Sequence, residues 1–369
     1  MINIISKISA KTYANIIKPI LFKIDPEKVH DLTLKSASLL GRVKPITWLI
    51  KNNWGFSAES LKQSVDGIEY LNPIGLAAGW DKDAIAVSFM AAVGFGFTEV
   101  GSITKEPYQG NQGSRLKRLK ISKSILVNYG LKNQGVDIVS LRIKKQKNNI
   151  PMGTNIARTN SPDCNDDKIS IEDYAYSFNK LTSIGDYFTI NVSCPNTFGG
   201  QPFHDKKRLE ALLKNLDKIP TKKPIYLKLS PDITLQERKD IAKLSFLHRV
   251  DGFICGNLTK DRNLNTIHDI NIPADGGMSG MVVQQLSDQL ITDMHKLTMG
   301  KKTIIGLGGV FSAEDAYRKI KLGASLIQMI TGLIYEGPQV VGQINLGLAQ
   351  LLKNDGYNNI SQAIGTKNN

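Results

Sequence analysis

The chain has 369 residues, of which 41% are hydrophobic and 22% are charged, a composition typical of a globular protein that buries a full-sized core. Its three cysteines form no CxxC pair, so neither a disulfide framework nor a structural metal site is expected. No stretch reaches the roughly 18 to 20 apolar residues of a bilayer span, so a membrane-spanning protein is not expected either. The formal net charge of +14 favours an acidic partner such as nucleic acid, anionic lipid or an anionic substrate, although a lysine-rich surface gives the same value.

Residues 1–60 carry nine Lys/Arg against four Asp/Glu and are predicted to form short amphipathic helices. In the run IDPEKVHDLTLKSASLLGR, Asp25 is the predicted N-cap, Pro26 the first helical residue and Gly41 the C-terminal stop. Basic amphipathic helices can lie on a membrane surface with their lysines toward anionic headgroups. They can equally cap the core of a domain, and this segment alone leaves both interpretations open.

From residue 72 the pattern changes to short apolar runs that alternate with segments of helix length. In chain order the runs are NPIGLAAG, FTEVGS, PMGTNIA, YFTINVS, PIYLKLS, DGFICGN, TIIGLGG and SLIQMIT. They are apolar on both faces, as buried parallel strands are, and eight such repeats predict a closed (β/α)8 TIM barrel. We therefore divide the chain into an N-terminal helical extension, residues 1–60, and a barrel, residues 61–369.

Polar residues gather at the carboxyl ends of these runs, where barrel enzymes build their active sites. These residues are Lys82, Ser102, Asn155, Cys194, Asn196, Lys228, Asn257, Gly309 and Thr331. Glycine-rich pieces at 276–280, 306–309 and 331–332 lie near the seventh and eighth strands. Loops at these two strands commonly bind phosphate, so a phosphorylated ligand is expected there.

Several of these motifs, in this order, resemble those of dihydroorotate dehydrogenase, an FMN-dependent (β/α)8 enzyme of pyrimidine synthesis. The motifs are GLAAGWDKD, INVSCPNT, IYLKLSPD, GGMSG, IIGLGGV and ASLIQMITG. The N-terminal KPILFKIDPEKVHDLTL resembles the membrane-associated, quinone-using class 2 form. The resemblance covers about residues 13–350. It implies FMN as cofactor, a quinone as acceptor, and a peripheral location on the cytoplasmic side of the inner membrane. It also implies that the N-terminal helices form a quinone tunnel at the membrane surface.

The resemblance implies a role for each matching residue. Cys194 falls at the position of the general base, which removes a proton from C5 of dihydroorotate while C6 delivers a hydride to FMN. The residues that match pyrimidine-binding positions are Lys82, Asn191, Asn196 and Asn257. Those that match flavin positions are Ala78, Gly79, Ser102, Asn155, Asn191 and Lys228, with Gly280, Gly309 and Thr331 near the phosphate. Arg118, in RLKRLK, matches an arginine of the quinone passage.

The chain departs from the class 2 pattern at the base and at several wall positions. Class 2 members usually carry serine as the base, whereas cysteine is characteristic of the soluble class 1 enzymes; a thiol is the more acidic group, so the exchange is chemically tolerable. In ILVNYGLKNQG, Val127 occupies the position of a pyrimidine-binding asparagine, and Asn128 could replace it only if the loop shifted by one residue. The other departures are Gly256 and Leu258 in place of two threonines, and Ile330 in place of an aromatic residue beside the flavin.

Three functions follow from these observations. The first is a quinone-dependent dihydroorotate dehydrogenase. The second is a divergent FMN oxidoreductase that acts on a different, less polar substrate, because Val127 and Leu258 remove polar contacts. The third is a flavin barrel that modifies RNA, or a basic binding module without turnover. The sequence shows no appended RNA-binding domain and its basic helices precede the barrel, so no nucleic-acid partner is expected.

Overall fold

The computed structural model describes residues 4–146 and 149–368, so the first three residues of the predicted N-terminal segment lie outside the described part. The helices are α1 (Ile4–Thr12), α2 (Lys18–Leu21), α3 (Pro26–Leu40), α4 (Lys44–Trp54), α5 (Val87–Val93), α6 (Val136–Lys144), α7 (Asp167–Leu181), α8 (Lys206–Leu216), α9 (Leu235–Leu247), α10 (Gln284–Leu297), α11 (Ala313–Lys321), α12 (Thr331–Glu336) and α13 (Val340–Asn354). The strands are β1 (Gln63–Val65), β2 (Ile68–Tyr70), β3 (Ile74–Leu76), β4 (Phe97–Ile103), β5 (Leu116–Leu119), β6 (Ser124–Val127), β7 (Met152–Ile156), β8 (Tyr187–Asn191), β9 (Ile225–Leu229), β10 (Gly252–Cys255), β11 (Gly277–Gly280), β12 (Thr303–Leu307) and β13 (Leu326–Met329).

Eight parallel strands close a barrel in the order β3-β4-β7-β8-β9-β10-β12-β13, with β13 pairing back onto β3. Seven of them lie within the apolar runs predicted from the sequence, and β4 extends one residue beyond its run, to Ile103. Most of them, including β4, β8 and β9, are buried along their whole length, which explains why their residues do not alternate between apolar and polar. The predicted (β/α)8 TIM barrel is confirmed.

The short hairpin of β1 and β2 closes the amino-terminal end of the barrel. Tyr70 from this hairpin joins a buried aromatic cluster inside the barrel, and the rings of Tyr187 and Tyr226 lie 5.2 Å apart in the same cluster. The Tyr226 hydroxyl donates a hydrogen bond to Asp66 in the turn of the hairpin, at 2.7 Å. With this end filled by aromatic side chains, space for a ligand remains at the carboxyl ends of the strands.

A three-stranded antiparallel sheet, β11-β6-β5, accompanies the barrel and was not predicted. It pairs segments that lie far apart in the sequence, since Gly277 of β11 is opposite Val127 of β6. The piece GGMSG, which the sequence marks only as glycine-rich, contributes strand β11. This sheet places Val127 next to the barrel mouth.

The N-terminal segment is helical, as predicted. Helix α3 begins at Pro26, and the Asp25 side chain accepts hydrogen bonds from the backbone N–H groups of Glu27 and Lys28, both at 3.0 Å. Large apolar side chains remain exposed along the segment: Ile4, Ile5, Ile8, Ile16, Ile17, Ile20, Ile24, Leu32, Leu39, Val43, Trp48 and Leu49. Among the described residues, no helix is both long and apolar enough to cross a membrane.

Candidate active site

A cavity of about 550 Å³ opens at the carboxyl ends of the barrel strands, where the strands, the β5–β6 hairpin and helix α3 all contribute to its walls. Its volume is in the usual range for a small-molecule site. The cavity lining includes every predicted site residue except Asn155: Ala78, Gly79, Lys82, Ser102, Arg118, Asn191, Cys194, Asn196, Lys228, Asn257, Gly280, Gly309 and Thr331. The fold thus brings together side chains from residues 78 to 331 in a single cavity.

Asn155 lies behind the cavity wall. Its Nδ2 donates to Oε1 of the buried Glu99 at 2.7 Å, and its Oδ1 accepts a hydrogen bond from the Ser102 hydroxyl. Both Asn155 and Glu99 are fully buried inside the barrel. Asn155 therefore reaches the cavity through Ser102, and its predicted flavin contact stays a prediction.

Lys228 brings a buried positive charge to the inner end of the cavity. The side chain projects from β9 and is 4% exposed. Burial lowers its pKa, and the negative charge of Glu99 opposes that shift. Within residues 4–146 and 149–368, the ammonium has no hydrogen-bond partner. A buried ammonium without a protein partner calls for an acceptor on a ligand, which is the first feature that fits a flavin.

Gly280 and Gly309 both line the cavity. Gly280 has φ of +95°, and a Cβ there would lie 2.6 Å from the Lys123 carbonyl and 2.9 Å from Thr331 Cγ2. Gly309 has φ of +67°, and a Cβ there would lie 2.8 Å from the Gln284 Cα. Both positions therefore require glycine, and glycine-rich backbone near the seventh and eighth strands of a barrel is typical of loops that bind phosphate. This is the second feature that fits FMN.

Cys194 lies in the loop that follows β8 and lines the cavity. Burial raises the pKa of its thiol above the ordinary value, while a backbone hydrogen bond from Asn196 and the positive charge of Lys228 act in the opposite direction. Burial dominates, so the thiol is held in its protonated form near neutral pH.

Three asparagines surround Cys194, and their hydrogen bonds fix which atoms are free. Asn196 Nδ2 donates to the Val127 carbonyl at 2.8 Å, while its buried Oδ1 has no partner in the described part of the chain. Asn257 Nδ2 donates to the Ser193 carbonyl and hydroxyl, at 3.1 and 2.7 Å. Asn191 Nδ2 donates to the Ser102 hydroxyl at 2.8 Å. The unpaired Oδ1 of Asn196 requires a donor from a ligand or water.

Lys82 supplies a second positive charge to the cavity. Its Nζ lies 4.1 Å from the centre of the Tyr129 ring, a cation–π contact. Burial and, secondarily, the charge of Lys132 lower the pKa of Lys82 to about 8. A weakly solvated ammonium in this position suits an anionic group such as a carboxylate.

Arg118 lies at the outer end of the cavity, against the N-terminal helices. Its Nη1 donates to the Ile24 carbonyl at 2.8 Å, and its guanidinium lies 4.7 Å from the centre of the Phe22 ring. The remaining walls here are largely apolar, and the residues are Leu21, Pro26, Val29, Leu32, Leu40, Phe89, Met90 and Val93. This part of the cavity suits an apolar ligand with a polar end near Arg118.

The departures noted in the sequence lie in the cavity wall. Val127, Leu258 and Ile330 all line the cavity. Asn128 does not, because its Oδ1 accepts a hydrogen bond from Asn111 Nδ2 at 3.0 Å. The loop is therefore not shifted, and Asn128 does not take the place of the missing asparagine.

Sequence reasoning missed three groups of this region: Glu99, Tyr129 and Ser193. Glu99 could have been noticed as a charge in the middle of an otherwise apolar strand, since a buried charge requires partners. The aromatic ring of Tyr129 and the buried hydroxyl of Ser193 carry no such signal, because their contacts come from segments distant in the sequence.

Comparisons with known proteins agree with the site. A sequence model described as "Dihydroorotate dehydrogenase" matches residues 60–352. A protein named dihydroorotate dehydrogenase (quinone) from Nautilia profundicola is 37% identical over 360 residues, which cover 96% of this chain and 97% of that protein. A protein of the same name from Sulfurimonas denitrificans is 38% identical over 353 residues, with 95% and 97% covered.

A solved structure has the same architecture. The crystal structure of DHODH from Eimeria tenella in complex with ferulenol matches with a TM-score of 0.80 at 28% identity, and the match covers 93% of this chain and 96% of that one. The relatives are similar along nearly their whole length, so the resemblance seen in the motifs is confirmed. The chain belongs to the class 2 branch of the dihydroorotate dehydrogenase family.

Proposed function

We propose that this chain oxidises dihydroorotate to orotate with a quinone as electron acceptor, a step of pyrimidine biosynthesis. The observation that carries the proposal is that Cys194, three asparagines and Lys82 share one cavity with an apolar outer end at Arg118. The relatives from Nautilia profundicola and Sulfurimonas denitrificans carry the name of this activity.

Substrate binding would use the polar atoms that the protein leaves free. Lys82 would bind the carboxylate, because a pKa of about 8 leaves its ammonium mostly protonated at neutral pH. Asn196 Oδ1 has no partner among the described residues and would accept from a ring N–H. Asn257 Oδ1, which already accepts from the backbone of Leu258 at 2.9 Å, has a second lone pair for the other N–H.

Cys194 would act as the general base that takes the C5 proton. Cys194 lines the cavity together with Asn191 and Asn196. Unlike the asparagine side chains, its thiol can change its protonation state. The positive charge of Lys228 favours the thiolate, which is the form of Cys194 that can accept the C5 proton.

FMN would be held by Lys228, by the backbone at Gly280 and Gly309, and by Ser102 and Thr331. When bound, this cofactor would accept the hydride from C6 of the substrate and pass two electrons to the quinone. Ala78, Gly79 and Asn191 complete the proposed contacts, with Asn155 acting behind Ser102.

The quinone would enter between the N-terminal helices, with its polar end near Arg118. We propose that residues 1–60 rest on the membrane surface, on the cytoplasmic side of the inner membrane, as a peripheral element. The exposed isoleucines of α1 and α2, together with the lysines between them, support this placement because they combine apolar area with positive charge.

A second candidate is an FMN oxidoreductase of the same family that acts on a less polar substrate. Val127 and Leu258 favour it, since both present apolar side chains to the cavity where a ring carbonyl or amide would otherwise find a partner. The two candidates differ in the substrate and share the cofactor and the fold.

Anaerobic titration of the FMN-loaded protein with dihydroorotate, followed at the flavin absorbance band, separates the two candidates. The proposal expects the band to bleach as substrate is added, and a quinone to restore it. Protein that holds FMN and does not bleach with dihydroorotate would favour the second candidate instead.

A further inference from the structure

Ser193 precedes Cys194, is fully buried and does not line the cavity. We infer that Ser193 is a positioning residue that fixes which ends of Asn191 and Asn257 face the substrate. The inference rests on the proposed function for the identity of its ligand, dihydroorotate.

Ser193 makes two hydrogen bonds to each of the two asparagines. Its backbone N–H and its hydroxyl donate to Asn191 Oδ1, at 3.2 and 3.0 Å. Its carbonyl and its Oγ accept from Asn257 Nδ2, at 3.1 and 2.7 Å. Gln201 Nε2 donates to the same carbonyl at 2.6 Å and holds the loop in place.

These bonds allow only one orientation of each amide. A backbone N–H can only donate, so Asn191 must present its oxygen to Ser193. A carbonyl can only accept, so Asn257 must present its nitrogen. Rotating either amide by half a turn would leave buried donors facing donors, or acceptors facing acceptors. The Ser193 hydroxyl matches both requirements at once, because it donates to Asn191 and accepts from Asn257.

A series of hydrogen bonds runs from Asn191 into the barrel, and all of them have the same donor-to-acceptor direction. Asn191 Nδ2 donates to the Ser102 hydroxyl, which donates to Asn155 Oδ1, and Asn155 Nδ2 donates to Glu99. Every donor in this chain of bonds points toward Glu99, a carboxylate that can only accept. The Glu99 carboxylate also accepts hydrogen bonds from Tyr187, Thr189 and Gln328. The carboxylate fixes the direction of the chain at one end, and the backbone of Ser193 fixes it at the other.

The consequence lies at the substrate. Asn257 Nδ2 and Asn191 Oδ1 are already hydrogen-bonded to Ser193. Asn257 therefore offers its carbonyl oxygen to the cavity, and Asn191 offers its remaining N–H. A free asparagine can rotate and offer either group, and a bound ring would then have to select the correct state. Ser193 removes that choice before the substrate arrives, which lowers the cost of binding.

Ser193→Ala tests the inference because it removes the hydroxyl and leaves the backbone bonds in place. In the FMN-loaded full-length protein, we expect the Kd of orotate and the KM for dihydroorotate to rise roughly tenfold, the effect of losing one to two net hydrogen bonds. FMN content should be unchanged, because Asn191 keeps its bond from the Ser193 backbone N–H and its bond to the Ser102 hydroxyl. The matched control is Ser177→Ala: Ser177 is also fully buried, its hydroxyl has no partner among the described residues, and its loss should leave both constants unchanged.

A double-mutant cycle with Asn257→Ala distinguishes positioning from a general structural effect. If Ser193 acts through Asn257, Ser193→Ala should weaken orotate binding by a clearly smaller factor in the Asn257→Ala protein than in the wild type. An equal factor in both proteins would overturn the inference, as would a Ser193→Ala protein that binds orotate like the Ser177→Ala control.

A readout without substrate separates this inference from the proposed function. In a crystal structure of FMN-loaded Ser193→Ala, we expect the Asn257 amide to be less well ordered than in Ser177→Ala, because its bond to the Ser193 hydroxyl is lost and only the longer bond to the Ser193 carbonyl remains on that side. An Asn257 amide that is as well ordered in Ser193→Ala as in Ser177→Ala would overturn the inference whatever the substrate proves to be. Wild-type protein that neither binds orotate nor bleaches with dihydroorotate would instead overturn the proposed function.

Discussion

Cys194 sits in surroundings that favour its protonated form, so its reactivity should depend on pH. Burial raises the pKa of the thiol above its ordinary value of 9.0. A protonated thiol cannot accept the C5 proton, and the thiolate fraction grows roughly tenfold per pH unit below the pKa. We therefore expect the rate of flavin reduction at saturating dihydroorotate, measured by anaerobic stopped flow, to rise steadily between about pH 7 and pH 9. Loss of the Lys82 charge above its pKa of about 8 should instead raise the dihydroorotate concentration needed for saturation.

The substitution Cys194→Ala should remove this pH dependence and slow flavin reduction by about 10²-fold, while the protein still binds FMN. Cys164→Ala is the matched control, because Cys164 is buried outside the cavity and its loss should leave the rate unchanged. Flavin reduction that proceeds at the wild-type rate in Cys194→Ala would exclude the thiol as the base.

Val127 should limit the affinity for dihydroorotate. Its side chain lines the cavity next to Asn196, whose Nδ2 bonds the Val127 carbonyl. An amide at this position could pair with a ring group that now faces methyl groups, so Val127→Asn should lower the KM for dihydroorotate about fivefold, the value of one net hydrogen bond. Steady-state kinetics measure the change, and the control Val29→Asn places the same amide at the outer end of the cavity. A KM that does not fall in Val127→Asn would favour the less polar substrate.

Helix α3 is attached to the barrel by an ion cluster of Glu27, Arg115 and Lys132, and a substitution of Glu27 tests this attachment. Arg115 donates through Nε to Glu27 at 3.0 Å and pairs with it again through Nη2, and Lys132 lies 3.6 Å from the same carboxylate. The Glu27 side chain is only 19% exposed, so Glu27→Gln should weaken this attachment by about 1–2 kcal/mol. We expect roughly 5- to 30-fold faster cleavage of the N-terminal helices in limited proteolysis.

The control for this prediction is Glu59→Gln, which breaks the exposed ion pair between Glu59 and Lys62 and should leave cleavage unchanged. A rise in the KM for quinone should accompany the loosening in Glu27→Gln, since α3 forms part of the cavity wall. Equal cleavage of the two variants would mean that the ion cluster does not hold the helix.

The elements differ in how far the sequence could predict them. The eight barrel strands are marked by short apolar runs, and helix α3 by Asp25 and Pro26, because these signals lie within a few residues. The sheet β11-β6-β5 carries no such local signal, since β11 is glycine-rich and pairs with a strand about 150 residues away. The residues of the site differ in the same way, between those marked by local motifs and those whose contacts come from distant segments. Cys194 and Lys82 lie in motifs, whereas the role of Ser193 depends on partners from other strands.

The whole molecule combines a closed barrel end, a polar inner cavity and an apolar outer surface. The aromatic cluster around Tyr187 fills one end of the barrel, and the cavity at the other end passes from Lys228 to Arg118 under the N-terminal helices. Those helices expose their isoleucines on the surface and are tied to the barrel by bonds such as Tyr13 to the Ile334 carbonyl at 2.7 Å. If these helices rest on a membrane, as proposed, a quinone in that membrane can reach the cavity without crossing water.

The exposed isoleucines therefore provide the test of membrane binding for the whole protein. Ile8 and Ile20 are each 57% exposed, and burying an isoleucine in a bilayer interface stabilises by about 1.5–3 kcal/mol. The double substitution of both residues by glutamate should reduce binding to anionic lipid vesicles by at least roughly 10²-fold in a sedimentation assay. Ile138→Glu with Leu141→Glu, on the similarly exposed face of α6, should leave binding intact. If the two double variants bind vesicles equally, the N-terminal helices are not the membrane contact, and the apolar face of α1 and α2 must serve another purpose.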